Sequence, residues 1–148
     1  MPRAPNAAPV MRIVADTNTV LSGLLWQGAP RHLLNLARRR ALTLCTSSVL
    51  LAELAEVIGR DKFTKRMLDA QLSPTALVQD YERLADIVEP QPLPTPVCLR
   101  DPDDDHVLAC ALAAQAKIIV SGDKDLIELH QYQGIPVLTA VTALQHLV

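Results

Sequence analysis

The sequence predicts an α/β fold, a three-layer α/β/α sandwich around a short, mainly parallel sheet. Three observations carry that prediction. Short, unbroken apolar runs alternate with longer stretches of helical period, the pattern of a parallel sheet covered on both faces. The chain has 148 residues, the size of one domain, and 49% of them are hydrophobic, enough to bury a core without a disulfide or structural metal. Only four residues are aromatic, so that core must be built from Leu, Val, Ile and Ala.

The elements follow in order. Residues 1–10 carry three prolines and no periodicity and read as a loose N-terminal tail, with Met11 a second candidate start; residues 11–148 form the single domain. Residues 11–15 read as a buried strand ended by Asp16, Thr17 and Asn18. A helix follows Pro30, which suits a first turn, and closes on Arg38, Arg39 and Arg40, where cations suit its dipole. Residues 42–45 are a second strand. Ser47 or Ser48 caps a helix to about residue 58, stopped by Gly59. Helices are expected over 62–71 and 74–86. Four prolines between residues 89 and 96 impose an extended segment, and residues 97–99 read as a brief strand. A helix runs from about 101 to 116, a strand over 118–121, a short helix over 125–130, a strand over 136–138 and a last helix over 140–147.

Composition excludes several functions. Fourteen Lys and Arg stand against sixteen Asp and Glu, a net charge of −2, so bulk positive charge does not hold nucleic acid here, although a local basic patch is compatible with it. So few aromatic residues argue against an extended base-stacking platform. The three cysteines, Cys45, Cys98 and Cys110, are widely spaced among apolar neighbours and form no zinc or disulfide pattern. No apolar run is long enough to span a membrane and no signal peptide is visible. A cytoplasmic protein with buried thiols is expected.

Chemistry is expected where parallel strands end, because ligands bind beyond their carboxyl ends. Asp16 directly follows the first strand. Asp123 and Asp125 follow the strand at 118–121, after Gly122. Asp105 lies one turn into its helix, sharing a face with Leu108, Ala109 and Leu112. Glu53 borders the apolar stripe of its helix, whereas Glu56 lies nearly opposite it. Crowded carboxylates are costly unless a cation neutralises them, and hard oxygen ligands suit Mg²⁺ or Mn²⁺, one ion or a pair. Taken singly these residues have ordinary readings: Asp101 and Asp103 as helix caps, Asp125 as a cap or a ligand, Glu53 as a surface residue, His106 as solvated. Arg38–Arg40 and the cluster Arg60, Lys62, Lys65 and Arg66 read as solvated faces. Only the joint pattern is specific. An EF-hand at Asp101, Asp103 and Asp105 fails, since its sixth and twelfth positions hold His106 and Leu112 instead of Gly and Glu.

The blocks Val14–Asn18, Asp101–Ala111 and Ile119–Leu126, with Glu53 between them, resemble the PIN-domain family, most closely its toxin components of toxin–antitoxin pairs, the VapC-like ribonucleases. The resemblance covers residues 11–148. It implies a metal-dependent ribonuclease site in which Asp16, Glu53, Asp105 and Asp123 are the four acids, Asp125 an auxiliary ligand or cap, Asn18 the polar residue orienting the first acid, and Ser121 the small hydroxyl residue before the fourth. It also implies an RNA substrate, a small antitoxin partner and a homodimer. The expected function is therefore a Mg²⁺- or Mn²⁺-dependent endoribonuclease, a hydrolase acting as a toxin. The rival readings are a non-catalytic RNA- or protein-binding module and a receiver-like phosphoryl-transfer enzyme. The last lacks adjacent acids after the first strand and a lysine ending a late strand.

Overall fold

The computed structural model describes residues 10–147, so the expected tail lies, but for Val10, outside the described residues. In chain order the elements are β1 (Arg12–Ala15), α1 (Thr17–Leu25), α2 (Ala29–Arg38), β2 (Thr43–Ser47), α3 (Ser48–Ile58), a 3₁₀ turn (Asp61–Phe63), α4 (Thr64–Asp69), α5 (Pro74–Leu84), β3 (Asp86–Val88), α6 (Asp104–Ala114), β4 (Ile118–Val120), α7 (Lys124–Ile127), β5 (Gln131–Tyr132), β6 (Ile135–Leu138) and α8 (Ala140–His146). The strands form one sheet in the order β3-β2-β1-β4-β6-β5. All neighbours run parallel except the terminal β5–β6 hairpin. The fold is α/β with flanking helices, as the alternation of runs predicts.

Because successive strand residues face opposite sides, each strand feeds two cores. Ile13, Ala15, Leu44, Ile118 and Val120 pack with residues of α1 to α5 and α8. Val14, Cys45, Ile119 and Val137 pack with those of α6 and α7. Burial pushes the thiols of Cys98 and Cys110 up to about 12, so both stay uncharged.

Several elements differ from the sequence expectation. The stretch directly after Asp16 forms α1, whose Thr17, Thr19, Val20 and Gly23 are poor helix formers. Packing overrides that preference: Val20, Leu21, Leu24 and Leu25 are buried. Gly23 is there because α2 lies so close that a Cβ would sit 2.7 Å from Leu34 Cδ1 and 2.9 Å from the Pro30 carbonyl oxygen. The helix expected to reach residue 86 stops at Leu84, and Asp86–Val88 instead pairs with β2 as β3. The expected helix at 62–71 divides into the 3₁₀ turn and α4.

The brief strand expected at 97–99 does not form. The N–H groups of Val97 and Cys98 donate instead to the two carboxylate oxygens of Asp105, at 3.0 and 2.7 Å. Asp105 thus pins the end of the proline-rich segment to the first turn of α6.

That pin yields a stability prediction. Asp105→Ala should lower stability by about 1–3 kcal/mol, the cost of a buried N–H left without a partner. The loss should appear in melting curves recorded in EDTA. Crowded carboxylates alone would make removal of an acid stabilising there, so a rise in melting temperature would show that Asp105 is not a pin.

Candidate metal centre

The site is assembled at the carboxyl edge of the sheet from β1, β4 and the start of α6. Asp16 leaves β1 with its N–H still donating to the Val120 carbonyl at 3.0 Å. Its Oδ1 caps α1 by accepting the Thr19 N–H at 2.9 Å. Its Oδ2 accepts the hydroxyl of Ser121, and the Ser121 Oγ in turn accepts the Asp123 N–H at 2.9 Å. Ser121 is buried and ties the acid after β1 to the acid after β4. Asp123 caps α7, with its Oδ1 accepting the Asp125 N–H at 2.7 Å.

Opposite them, carboxylate oxygens of Asp101, Asp104 and Asp123 lie within 4.8 Å of one another. Asp104 is 8% exposed, and its Oδ2 is buried without a hydrogen-bond partner. Burial, then the charges of Asp123, Asp101 and Asp16, push its carboxyl up to about 8. A cavity of about 40 Å³ opens between Asp16, Glu53, Asp101, Asp104 and Asp123, roughly three water-sized positions. Glu53 closes its rim. Burial raises the Glu53 carboxyl, the nearby Thr17 hydroxyl offsets part of that, and the charges of Asp103 and Asp101 add to it.

Asp16, Glu53 and Asp123 line this one cavity, and Asp105 does not. Asp104 takes the place expected of Asp105, whose two oxygens are committed to Val97 and Cys98. The physical reason is that α6 turns only a narrow strip to solvent: His106 and Ala113 are exposed, while Asp104, Val107, Leu108, Ala109, Cys110, Ala111 and Ala114 are inside. An exposed strip that carries one polar residue and an alanine is a weak signal of helix phase, so a face through 105, 108 and 112 read as well as one through 104, 108 and 111. Asp101, read as a cap, does accept the Asp103 N–H at 3.2 Å, yet it also joins the cluster. The signal for both was the density of the Asp101–Asp105 run. Asp125 is not among the residues that line the cavity and lies 3.8 Å from the exposed Arg100. Asn18 lines the edge of the cavity, while the Thr19 N–H and Ser121 hydroxyl are what hold Asp16.

Residues 12–125, most of the chain, match the sequence profile of the PIN domain. The chain belongs to the PIN-domain family. Its backbone is similar to the crystal structure of PAE2754 from Pyrobaculum aerophilum, with a TM-score of 0.56 over 93% of this chain and 89% of that one, at 15% identity. That likeness concerns the fold alone. No curated protein matches this sequence. PIN domains are usually nucleases that depend on divalent metal ions, and a family member with this acidic cluster points to an RNA substrate. Among the described residues of this PIN domain, no helix is long and apolar enough to cross a membrane.

The donor set fits a hard divalent cation. It consists of carboxylate oxygens only, and the orphaned Asp104 Oδ2 lacks a partner that a cation would supply. Such an ion would compete with the proton on Asp104. Two consequences follow in pH. The folded carboxyl titrates near 8 and the unfolded one near 3.9, so the folded state holds the proton between those values and the unfolded state does not. Stability of the metal-free protein should fall as pH rises from about 4 to about 8. Asp104→Asn should flatten that fall, and Mn²⁺ affinity of the native chain should strengthen over the same range. Melting curves in EDTA and calorimetric Mn²⁺ titrations at pH 6, 7 and 8 check both. A pH-independent affinity would remove Asp104 from the ligand set.

Proposed function

We propose that this PIN domain is a Mg²⁺- or Mn²⁺-dependent endoribonuclease and the toxin of a toxin–antitoxin pair, acting in the cytoplasm. The observation that carries the catalytic half is the buried Asp104 carboxylate, which has one oxygen without a partner and lies together with those of Asp101 and Asp123. Asp16, Asp101, Asp104 and Asp123 are the proposed ligands. A cation held there would supply positive charge for the scissile phosphate and lower the pKa of an attacking water. Around it the chain's own residues have distinct work. Thr19 and Ser121 hold Asp16 in one rotamer. Glu53, with its raised carboxyl pKa at the open rim, is placed to take a proton at its carboxylate. The toxin role, a small antitoxin partner and a homodimer rest on the resemblance of the motif blocks to that subgroup.

Purified protein should cleave RNA with Mn²⁺ or Mg²⁺ and stop in EDTA. Asp16→Asn, Asp104→Asn and Asp123→Asn should each remove most activity, at least a hundredfold. Asp105→Asn, measured below its melting temperature, should keep most of it. Glu53→Gln should impair cleavage, whereas Glu56→Gln should not, because Glu56 is exposed and occupied by Arg60 at 2.7 Å. Wild-type cleavage by Asp104→Asn would sink the proposed ligand set.

The biological half is tested in cells. Induction of the chain alone should slow growth, and Asp16→Asn should relieve the arrest. Arrest that persists in the Asp16 variant would favour a non-catalytic binding module.

A further inference from the structure

The far end of α1 carries a group of side chains that the acidic cavity does not use. Trp26, the single tryptophan of the chain, closes the last turn of α1 with its N–H on the Ser22 carbonyl at 2.9 Å. It leaves 41% of its surface in solvent. Phe63 meets the indole edge-on, with ring centroids 6.2 Å apart and planes at 63°. The Arg66 guanidinium lies 5.9 Å from the indole centroid and is fixed by its Nε donating to the Leu25 carbonyl at 2.8 Å. Lys62 Nζ stands 5.1 Å from the Phe63 centroid, and Lys65 is exposed beside them.

The chemistry of this patch selects its ligand. Residues 60–66 hold four cationic side chains and one acid in a chain whose net charge is −2. Buried centres of protein–protein interfaces are depleted in lysine, so a protein partner would have to desolvate Lys62 and Lys65 here. An exposed ring beside fixed cations is what a single nucleic acid strand uses: a π face for one base and positive charge for its phosphates. One ring serves one base, so the scarcity of aromatic residues is no obstacle.

The patch is also connected to the acids. Asn18, Ser22 and Trp26 recur every four residues along one side of α1, about 12 Å from first to last. Asn18 and Ser22 line a cavity of about 250 Å³ that reaches Ser121 and Asp123. The cavity therefore runs from Asp123 to Ser22, one turn of α1 before Trp26.

We propose that Trp26, with Phe63, Lys62, Lys65 and Arg66, is a stacking subsite for one base of a single-stranded RNA whose backbone runs past Ser22 and Asn18 to the acidic cavity. Its link to cleavage rests on the ribonuclease reading; the binding does not. Trp26 is its own probe. In EDTA, short oligoadenylate and oligouridylate should quench its fluorescence saturably, and more weakly as salt rises. With fluorescently labelled oligomers read by anisotropy, Trp26→Ala should weaken binding about tenfold, and Trp26→Phe should restore most of it. Lys62→Gln with Lys65→Gln, both exposed and remote from the core, should lower the slope of log affinity against log salt by about 1.4. Circular dichroism checks that each variant is folded. Equal RNA affinity in Trp26→Ala and the native chain would overturn the subsite. So would a Trp26 emission that changes on dilution of the protein and not on addition of RNA, since a second copy would then cover the ring. Quenching by RNA without cleavage in Mn²⁺ would leave the subsite standing and end the nuclease reading. Cleavage without any Trp26 dependence would do the reverse.

Discussion

Repulsion among carboxylates held at the ends of adjacent strands is the constraint on which this structure depends. β1 and β4 run side by side with Ala15 paired to Val120, so the residues that follow them are delivered to the same place whatever their charge. Asp16 and Asp123 arrive there, and α6 adds Asp104 from above. Among the described residues no lysine or arginine pairs with the group; Ser121 supplies a neutral hydroxyl instead. A cationic side chain would have stabilised the folded chain but would have occupied the place of an ion. What remains is a site whose charge must be balanced by a proton or by something bound.

The hydrogen bonds that hold the acids are local and short-range in sequence on one side, and long-range on the other. Asp16 takes one partner three residues away, Thr19, and another from the far end of the chain, Ser121. The first sets its rotamer when α1 forms. The second is made only when β4 inserts beside β1. The arrangement of the site and completion of the sheet are therefore one event.

Much of this was legible in the sequence because burial on both faces leaves a mark: unbroken β-branched runs such as Ile118–Val120, followed by turn residues, read as covered strands. Asp16 and Asp123 were legible for the same reason, since a strand's end fixes where the next residue points. The helix α1 was not, because its Thr, Ser and Gly content reflects close packing against α2 and not helix propensity. The strand β3 was not, because Asp86 reads as the end of α5 and Ile87 and Val88 alone are too short a run to mark a strand. The choice between Asp104 and Asp105 was the deepest ambiguity. Adjacent acids entering a helix whose exposed strip holds only His106 and Ala113 offer little periodic cue, and here they divide the work, one beside Asp101 and Asp123 and the other spent on backbone.

The pin made by Asp105 also divides the chain into a part that can change length and a part that cannot. Between Val88 and Val97 the polypeptide is proline-rich and extended and belongs to no element. Residues added there would bulge into solvent at little cost, since loop closure grows only slowly with length. Beyond Cys98 the situation reverses. Only Leu99 and Arg100 separate the pinned residue from the turn that Asp101 begins, so a single inserted residue would strain the closure between Cys98 and that turn. Tolerance to insertion should change abruptly at one peptide, and the gene's freedom to drift in length ends where the carboxylate of Asp105 takes hold.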